Sequence, residues 1–161
     1  MKISNTLLSI LLLTLLSSCS GSTSLDDLVE RDGVYYPKFS DVPFTGEVTG
    51  KSQGSLKNGK KDGDWVYYWS DGELKEKGNY KNGNKEGDWV SYWSPGKLWF
   101  SRVHKDGKLE GDYVSYHRNG QLMGKGLFKN GEKEGVWVVY NEEGTFVAGT
   151  GNFKDGVQIS D

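Results

Sequence analysis

The chain of 161 residues contains one cysteine, three prolines, two methionines and two histidines. A single cysteine, Cys19, excludes an internal disulfide, so the fold must hold without covalent staples. The two histidines, His104 and His117, stand thirteen residues apart, which fits no common zinc spacing, and no second cysteine exists to complete a site. The one long apolar run, residues 7–16, is interrupted by Ser9 and Thr14. It is too short for a membrane helix, which needs ~20 apolar residues. Positive charge is not in excess: 20 basic against 22 acidic residues give a formal charge of −2. Nucleic acid as a partner would call for a basic patch and a high isoelectric point. Spacings such as Gly120…Gly126 do not follow a strand and open a helix, so they are not a nucleotide fingerprint.

Glycine and aromatic residues are abundant, at 23 residues and 13% of the chain respectively. That mixture argues against disorder and suits short strands joined by tight turns. It is also periodic. A 24-residue pattern occupies residues 57–80, 81–104, 105–128 and 129–153, the last copy carrying one extra residue near 148–150, and begins again at Lys154-Asp155-Gly156. A fixed period of this size marks an array of one supersecondary unit. Asn58, Asn82, Asp106 and Asn130 share a column, each followed by glycine, which predicts two-residue hairpin turns with positive φ. A second turn column follows: Asp71-Gly72, Pro95-Gly96, Asn119-Gly120 and Glu143-Gly144. Two turns per copy mean two antiparallel strands per copy.

If Asp71-Gly72 is a two-residue turn, Ser70 opposes Glu73 and Trp65 opposes Gly78. A ring lying over a cross-strand glycine then fills the space left by the missing side chain. Tyr113 over Gly126 repeats the arrangement, and Trp89 meets Arg102. The same register places Trp65, Trp69, Leu74 and Tyr80 on one face and Val66 and Tyr68 on the other. Gly63 and its equivalents mark bulges.

The opening residues read as an export signal. Lys2 precedes the apolar run 7–16, whose length suits a secretory segment. It is followed by Leu16-Ser17-Ser18-Cys19, which resembles the lipobox of bacterial lipoproteins. The resemblance implies cleavage before Cys19 and lipid on its sulfur and new amino group, which would anchor the chain stably to a membrane. A free thiol, or a chance cysteine in an ordinary signal peptide, is the plainer alternative. The domain reading is therefore a signal peptide over 1–18, a lipidated cysteine and flexible tether over 19–29, a degenerate capping unit over 30–56, and four repeats with a short C-terminal cap over 57–161. Pro37 and Pro43 are expected to blunt the exposed edge of the array.

The recurrent run Asn82-Gly83-Asn84-Lys85-Glu86-Gly87-Asp88-Trp89-Val90, repeated in register, resembles the MORN-repeat variant family. It is similar to the repeats of proteins grouped as YwqK-type antitoxins. The resemblance implies an all-β fold, an extended twisted single-layer antiparallel sheet of tandem hairpins, and an antitoxin- or immunity-like role.

No set of residues suggests catalysis, a metal or a cofactor. Asp62, Glu86, Glu110 and Glu134 form a column expected to be a solvated rim, and Lys57 with its equivalents a solubilising one. His104 shares the column of Tyr80, Phe128 and Phe153, which makes it a packing residue. The sharper signal is aromatic. Trp69, Trp93, Trp99 and Phe100 cluster at the second turns of the first two copies. They are either cover for a thin sheet or a binding patch, since exposed aromatics are enriched at interfaces. The expected protein is thus a non-enzymatic lipoprotein of the cell envelope, at the outer membrane or cell surface, that binds another protein; the alternative ligand is a glycan or peptidoglycan.

Overall fold

The computed structural model describes residues 22–147 and 149–160; Cys19 and the export segment lie outside the described residues. The first elements are β1 (Thr23–Ser24), a 3-10 turn (Leu25–Asp27), β2 (Leu28–Arg31), β3 (Val34–Pro37), β4 (Gly46–Thr49) and β5 (Ser52–Lys57). The repeats supply β6 (Lys60–Tyr68), β7 (Leu74–Lys81), β8 (Asn84–Trp93), β9 (Lys97–Lys105), β10 (Lys108–Tyr116), β11 (Leu122–Lys129) and β12 (Glu132–Val139). β13 (Gly151–Lys154) and β14 (Val157–Ser160) close the array. Twelve strands form one open sheet in the order β1-β4-β5 and then sequentially to β14, while β2 and β3 pair only with each other. Pairing within the long sheet is antiparallel except between β1 and β4. This is the tandem-hairpin sheet that the 24-residue period requires.

The Asn-Gly and Asp-Gly turns are tight, with Lys81 opposite Asn84 and Lys105 opposite Lys108. Both turn residues have positive φ, as at Asn82 (51°) and Gly83 (88°), which Asn and Gly tolerate better than other residues. The second turns are one residue longer than expected. The backbone N–H of Trp69 donates to Glu73 O at 2.8 Å, leaving Ser70, Asp71 and Gly72 in the loop. Trp65 nevertheless pairs with Gly78, because a register shift follows between Tyr67 and Tyr68. The extra turn residue is offset by Lys75, which is bulged in β7. The bulge also moves Leu74 opposite Tyr68, onto the face away from Trp65, so Leu74 does not share the tryptophan side. Trp99 and Met123 occupy the same bulge in β9 and β11.

A second correction concerns the rings. Trp65 and Gly78 are register partners, but the Trp65 indole lies over Gly54 of the preceding strand, where a Cβ would come 2.5 Å from Trp65 Cδ2. Trp89 covers Gly78 and Trp137 covers Gly126 in the same way. Tyr113 therefore does not cover Gly126. The positive-φ bulge at Gly63, 87 and 135 is what turns each indole backwards: across it, Gln53 pairs with Val66 but Ser55 with Asp62. Each buried indole also donates its Nε1–H to that neighbouring strand, Trp65 to Ser55 O, Trp89 to Asn79 O and Trp137 to Leu127 O, at 3.2, 3.1 and 2.9 Å. The core of this thin sheet is thus a row of indoles, with Trp65 and Trp89 fully buried.

The N-terminal segment caps one end, partly through the short edge strand β1 and partly by lying over the sheet. β2–β3 lies on the tryptophan face, where Leu25, Leu28, Tyr35 and Phe44 pack against Val48, Leu56 and Trp65. Residues 23–28 are consequently part of the fold and not of the tether. Pro37 ends β3, outside the long sheet, so neither it nor Pro43 blunts that sheet's edge; the two-residue β1 does so by pairing with β4.

Candidate functional site

Three kinds of bond tie neighbouring repeats together, and they account for much of the recurrent polarity. The acidic column is one. Asp62, Glu86, Glu110 and Glu134 each accept the backbone N–H of the next Asn or Asp turn: Asn82, Asp106, Asn130 and Asp155, at 2.7–3.1 Å. The expected solvated rim is thus a set of staples. At the opposite edge, Trp69 Nε1–H donates to Tyr92 O at 3.3 Å and Trp93 Nε1–H to Tyr116 O at 3.2 Å. His117 stands in their column and bonds Tyr140 O through Nε2 at 2.9 Å. Its ring replaces an indole as donor, which explains how a histidine occupies a tryptophan position. The third bond is the indole-to-carbonyl contact already described.

The aromatic patch expected from the sequence is brought together in part. Trp93 and Trp99 stack with ring centroids 4.1 Å apart, and Phe100 meets Trp99 edge-on at 4.6 Å. Trp99 reaches Trp93 because it is the bulged residue of β9; the bulged Lys75 lies over Trp69 at 4.6 Å. Arg118 covers Trp93 at 4.9 Å. All four expected residues, Trp69, Trp93, Trp99 and Phe100, are half-buried.

The sequence reading missed a charged cluster on the same face. Glu76 accepts from Lys85 Nζ at 3.1 Å, Arg102 Nη2 at 2.8 Å and Ser91 Oγ at 2.8 Å. Burial works to raise the Glu76 pKa, but the two cations and the serine outweigh it and hold the carboxyl below its ordinary range. Burial lowers Lys85 and Lys61. The signal was present in the columns. Where the other copies have glycine under tryptophan, the third pair has Arg102 with Tyr113. The smaller ring is paired with the residue whose side chain needs the room. Each remaining tryptophan carries a lysine on its ring: Lys61 on Trp65, Lys85 on Trp89 and Lys133 on Trp137, at 4.7, 3.6 and 4.6 Å. Lys61 also donates to Tyr67 Oη at 2.9 Å.

His104 is buried edge-on against Trp89, with the Gly107 backbone as a weak polar neighbour of its ring. Burial, then Arg102 and Lys85, lower its pKa. A histidine whose folded pKa is depressed contributes stability that is complete above the unfolded value, about 6.5. That share is lost as pH falls towards the folded value, because the unfolded chain binds the extra proton. His104→Phe places in this column the residue already found at Phe128 and Phe153. It should raise the denaturation midpoint, and the gain should be larger at pH 5.5 than at pH 7.5. Equal gains at both values would exclude the proton-linked part.

Among the described residues, no helix is long and apolar enough to cross a membrane, and no group of three or more His, Cys, Asp or Glu side chains is placed to hold a metal ion. Comparison with curated proteins returned no match. Two stretches, residues 61–82 and 109–130, match the family model described as MORN repeat variant. They run from the first strand of the first and third copies to the turn that the acidic staple holds, and it is these two copies that are similar to the MORN repeat variant.

Proposed function

We propose that the chain is a non-enzymatic, lipid-anchored protein of the cell envelope whose repeat sheet binds another protein through its tryptophan face. The observation that carries this reading is the half-exposed cluster Trp93–Trp99–Phe100, held on a sheet whose repeats are stapled at both edges. Aromatic side chains fixed before binding lose little entropy on association, which is the character of interface hot spots. Anchoring rests on Leu16-Ser17-Ser18-Cys19, and the finer kinship with antitoxin- or immunity-like proteins on the resemblance of the repeats. A glycan fits the cluster less well: Trp93 has Trp99 on one side and Arg118 over its ring, which leaves little free indole face for a sugar to stack on.

Pull-down of the lipidated protein from native membranes tests both parts. The wild type should fractionate with membranes and capture a stoichiometric partner. Cys19→Ala should abolish normal maturation and membrane association. Trp99→Ala should reduce capture while leaving the denaturation midpoint nearly unchanged. Undiminished capture by folded Trp99→Ala would remove the aromatic cluster from the interface, and unaltered processing of Cys19→Ala would remove the anchor.

A further inference from the structure

One position on the tryptophan face, in the second strand of each of the first three copies, is filled differently in successive copies. Glu76, Phe100 and Gly124 occupy equivalent sites in β7, β9 and β11, opposite Ser91, Ser115 and Val139. The residue filling the site follows the cationic column. Lys85, opposite Tyr80 in the next strand, is the ion-pair partner of Glu76 at 3.1 Å. In the next copy the cationic column holds Leu109, and the filler is Phe100. In the last copy the column returns to lysine, Lys133, but the filler is Gly124. The space is left as a hollow of about 320 Å3 lined by Tyr113, Gly124, Phe128, Lys133 and Trp137, among others. Lys133 Nζ lies 4.6 Å from the Trp137 ring and 4.8 Å from the Phe153 ring, and no described carboxylate lies within ion-pair distance. The hollow thus has the walls and the lysine of the Glu76 site, with Trp137 for Trp89 and Phe128 for Tyr80; it lacks the acid, and Val139 stands where Ser91 donates.

We propose that the hollow at Gly124 receives an acidic side chain of a partner polypeptide, with Lys133 as counter-ion and Trp137 and Phe128 as walls. This rests on the reading that the tryptophan face binds protein, and it names the chemistry of one contact. Charge complementarity with Lys133 selects a carboxylate, and the chain itself shows how one is held at the matching site. The other end of the face shows that a separate segment is accommodated there. β2–β3 lies across Trp65, and its Glu30 acts electrostatically on Lys61, the first member of the same lysine column. The larger hollow on the opposite face, about 490 Å3 beside Val114, Leu127 and Val136, offers no such template. It recurs as an unfilled hollow between Asp64 and Val90 and is a property of the repeat.

The test is a titration of the 15N-labelled mature chain, followed at the Trp137 indole N–H, with a blocked heptapeptide copying residues 73–79. Parallel titrations use the same peptide with both glutamates changed to glutamine, and glutarate as a free dicarboxylate. The glutamate peptide should give saturable shifts, and the glutamine peptide should bind at least tenfold more weakly. Lys133→Met should weaken the glutamate peptide at least tenfold. Gly124→Glu supplies the acid from within and should abolish binding. Its added Cβ meets Val138 O at 3.2 Å, so Lys133→Met serves as the milder variant. Equal binding of the two peptides, unchanged affinity in Lys133→Met, or no shift at all would overturn the site. Glutarate binding as tightly as the peptide would overturn its assignment to a polypeptide. Partner capture from membranes that survives Lys133→Met would sink this contact and leave the broader reading standing.

Discussion

Trp89→Ala should lower unfolding free energy by about 3–5 kcal/mol, the range for removing a large buried aromatic side chain. Trp89 is fully buried, in a sheet that has no second layer to collapse into the space. Its indole covers Gly78, donates to Asn79 O, supports Lys85 at 3.6 Å and meets Tyr80 edge-on at 5.0 Å. The substitution therefore loosens the contact between two hairpins and exposes the aliphatic stem of a lysine that is half of an ion pair. Trp93→Ala, which loses a half-buried ring and one bond to Tyr116 O, should cost clearly less. Denaturant melts of the two variants side by side decide the matter; equal losses would mean that the edge column is as much core as the central one.

Gly78→Ala should be destabilising by about 1–3 kcal/mol, the usual cost of forcing extra bulk into a packed site. The added methyl would stand 2.3 Å from Trp89 Cδ2, against a ring rather than a flexible chain end. A Trp89→Tyr background should recover part of the loss, since Arg102 beside Tyr113 shows that the smaller ring admits a side chain at the equivalent position. A double-mutant cycle on Gly78 and Trp89 measures this as a coupling energy between residues in contact. Additive losses would show that the ring does not shape the glycine column.

The extent of the sheet, its tight turns and the pairing of Trp65 with Gly78 were legible in the sequence because each rests on local chemistry repeated in register. Asn-Gly needs only its own backbone preference to mark a turn. The bulge at Lys75 was not legible: it cancels the longer second turn, so two departures from the simplest hairpin leave the central register unchanged. The direction in which each indole leans was hidden for a related reason. Register says which Cα atoms are opposite, while the bulge at Gly63 and its equivalents decides which strand a side chain covers. Among candidate functional residues, Trp69, Trp93, Trp99 and Phe100 stood out because aromatics are conspicuous. Lys85, Glu76 and Arg102 did not, since charged residues on a strand usually face water, and only the paired departure to Tyr113 and Arg102 signalled otherwise. The acidic column was visible as a repeat, but its partners lie 20 residues ahead in Asn82, Asp106 and Asn130, or 21 in Asp155, beyond the reach of any local pattern.

Those acidic staples all point the same way. In each, the acceptor carboxylate precedes the turn it holds, and the matching backbone bond from Gly83 to Lys61 O has the same polarity. A chain emerging amino end first, from a ribosome or an export channel, therefore presents each acceptor before the donor that needs it. At that edge every new turn closes onto an acceptor already in place, whereas at the opposite edge Trp69 and Trp93 are made before the carbonyls of Tyr92 and Tyr116 to which they donate. The array is built to be laid down like courses of masonry, with the hairpin β2–β3 and its apolar contacts as the foundation. An array truncated from the carboxyl end keeps each remaining Asn-Gly or Asp-Gly turn on its carboxylate, whereas one truncated from the amino end leaves the first such turn unheld.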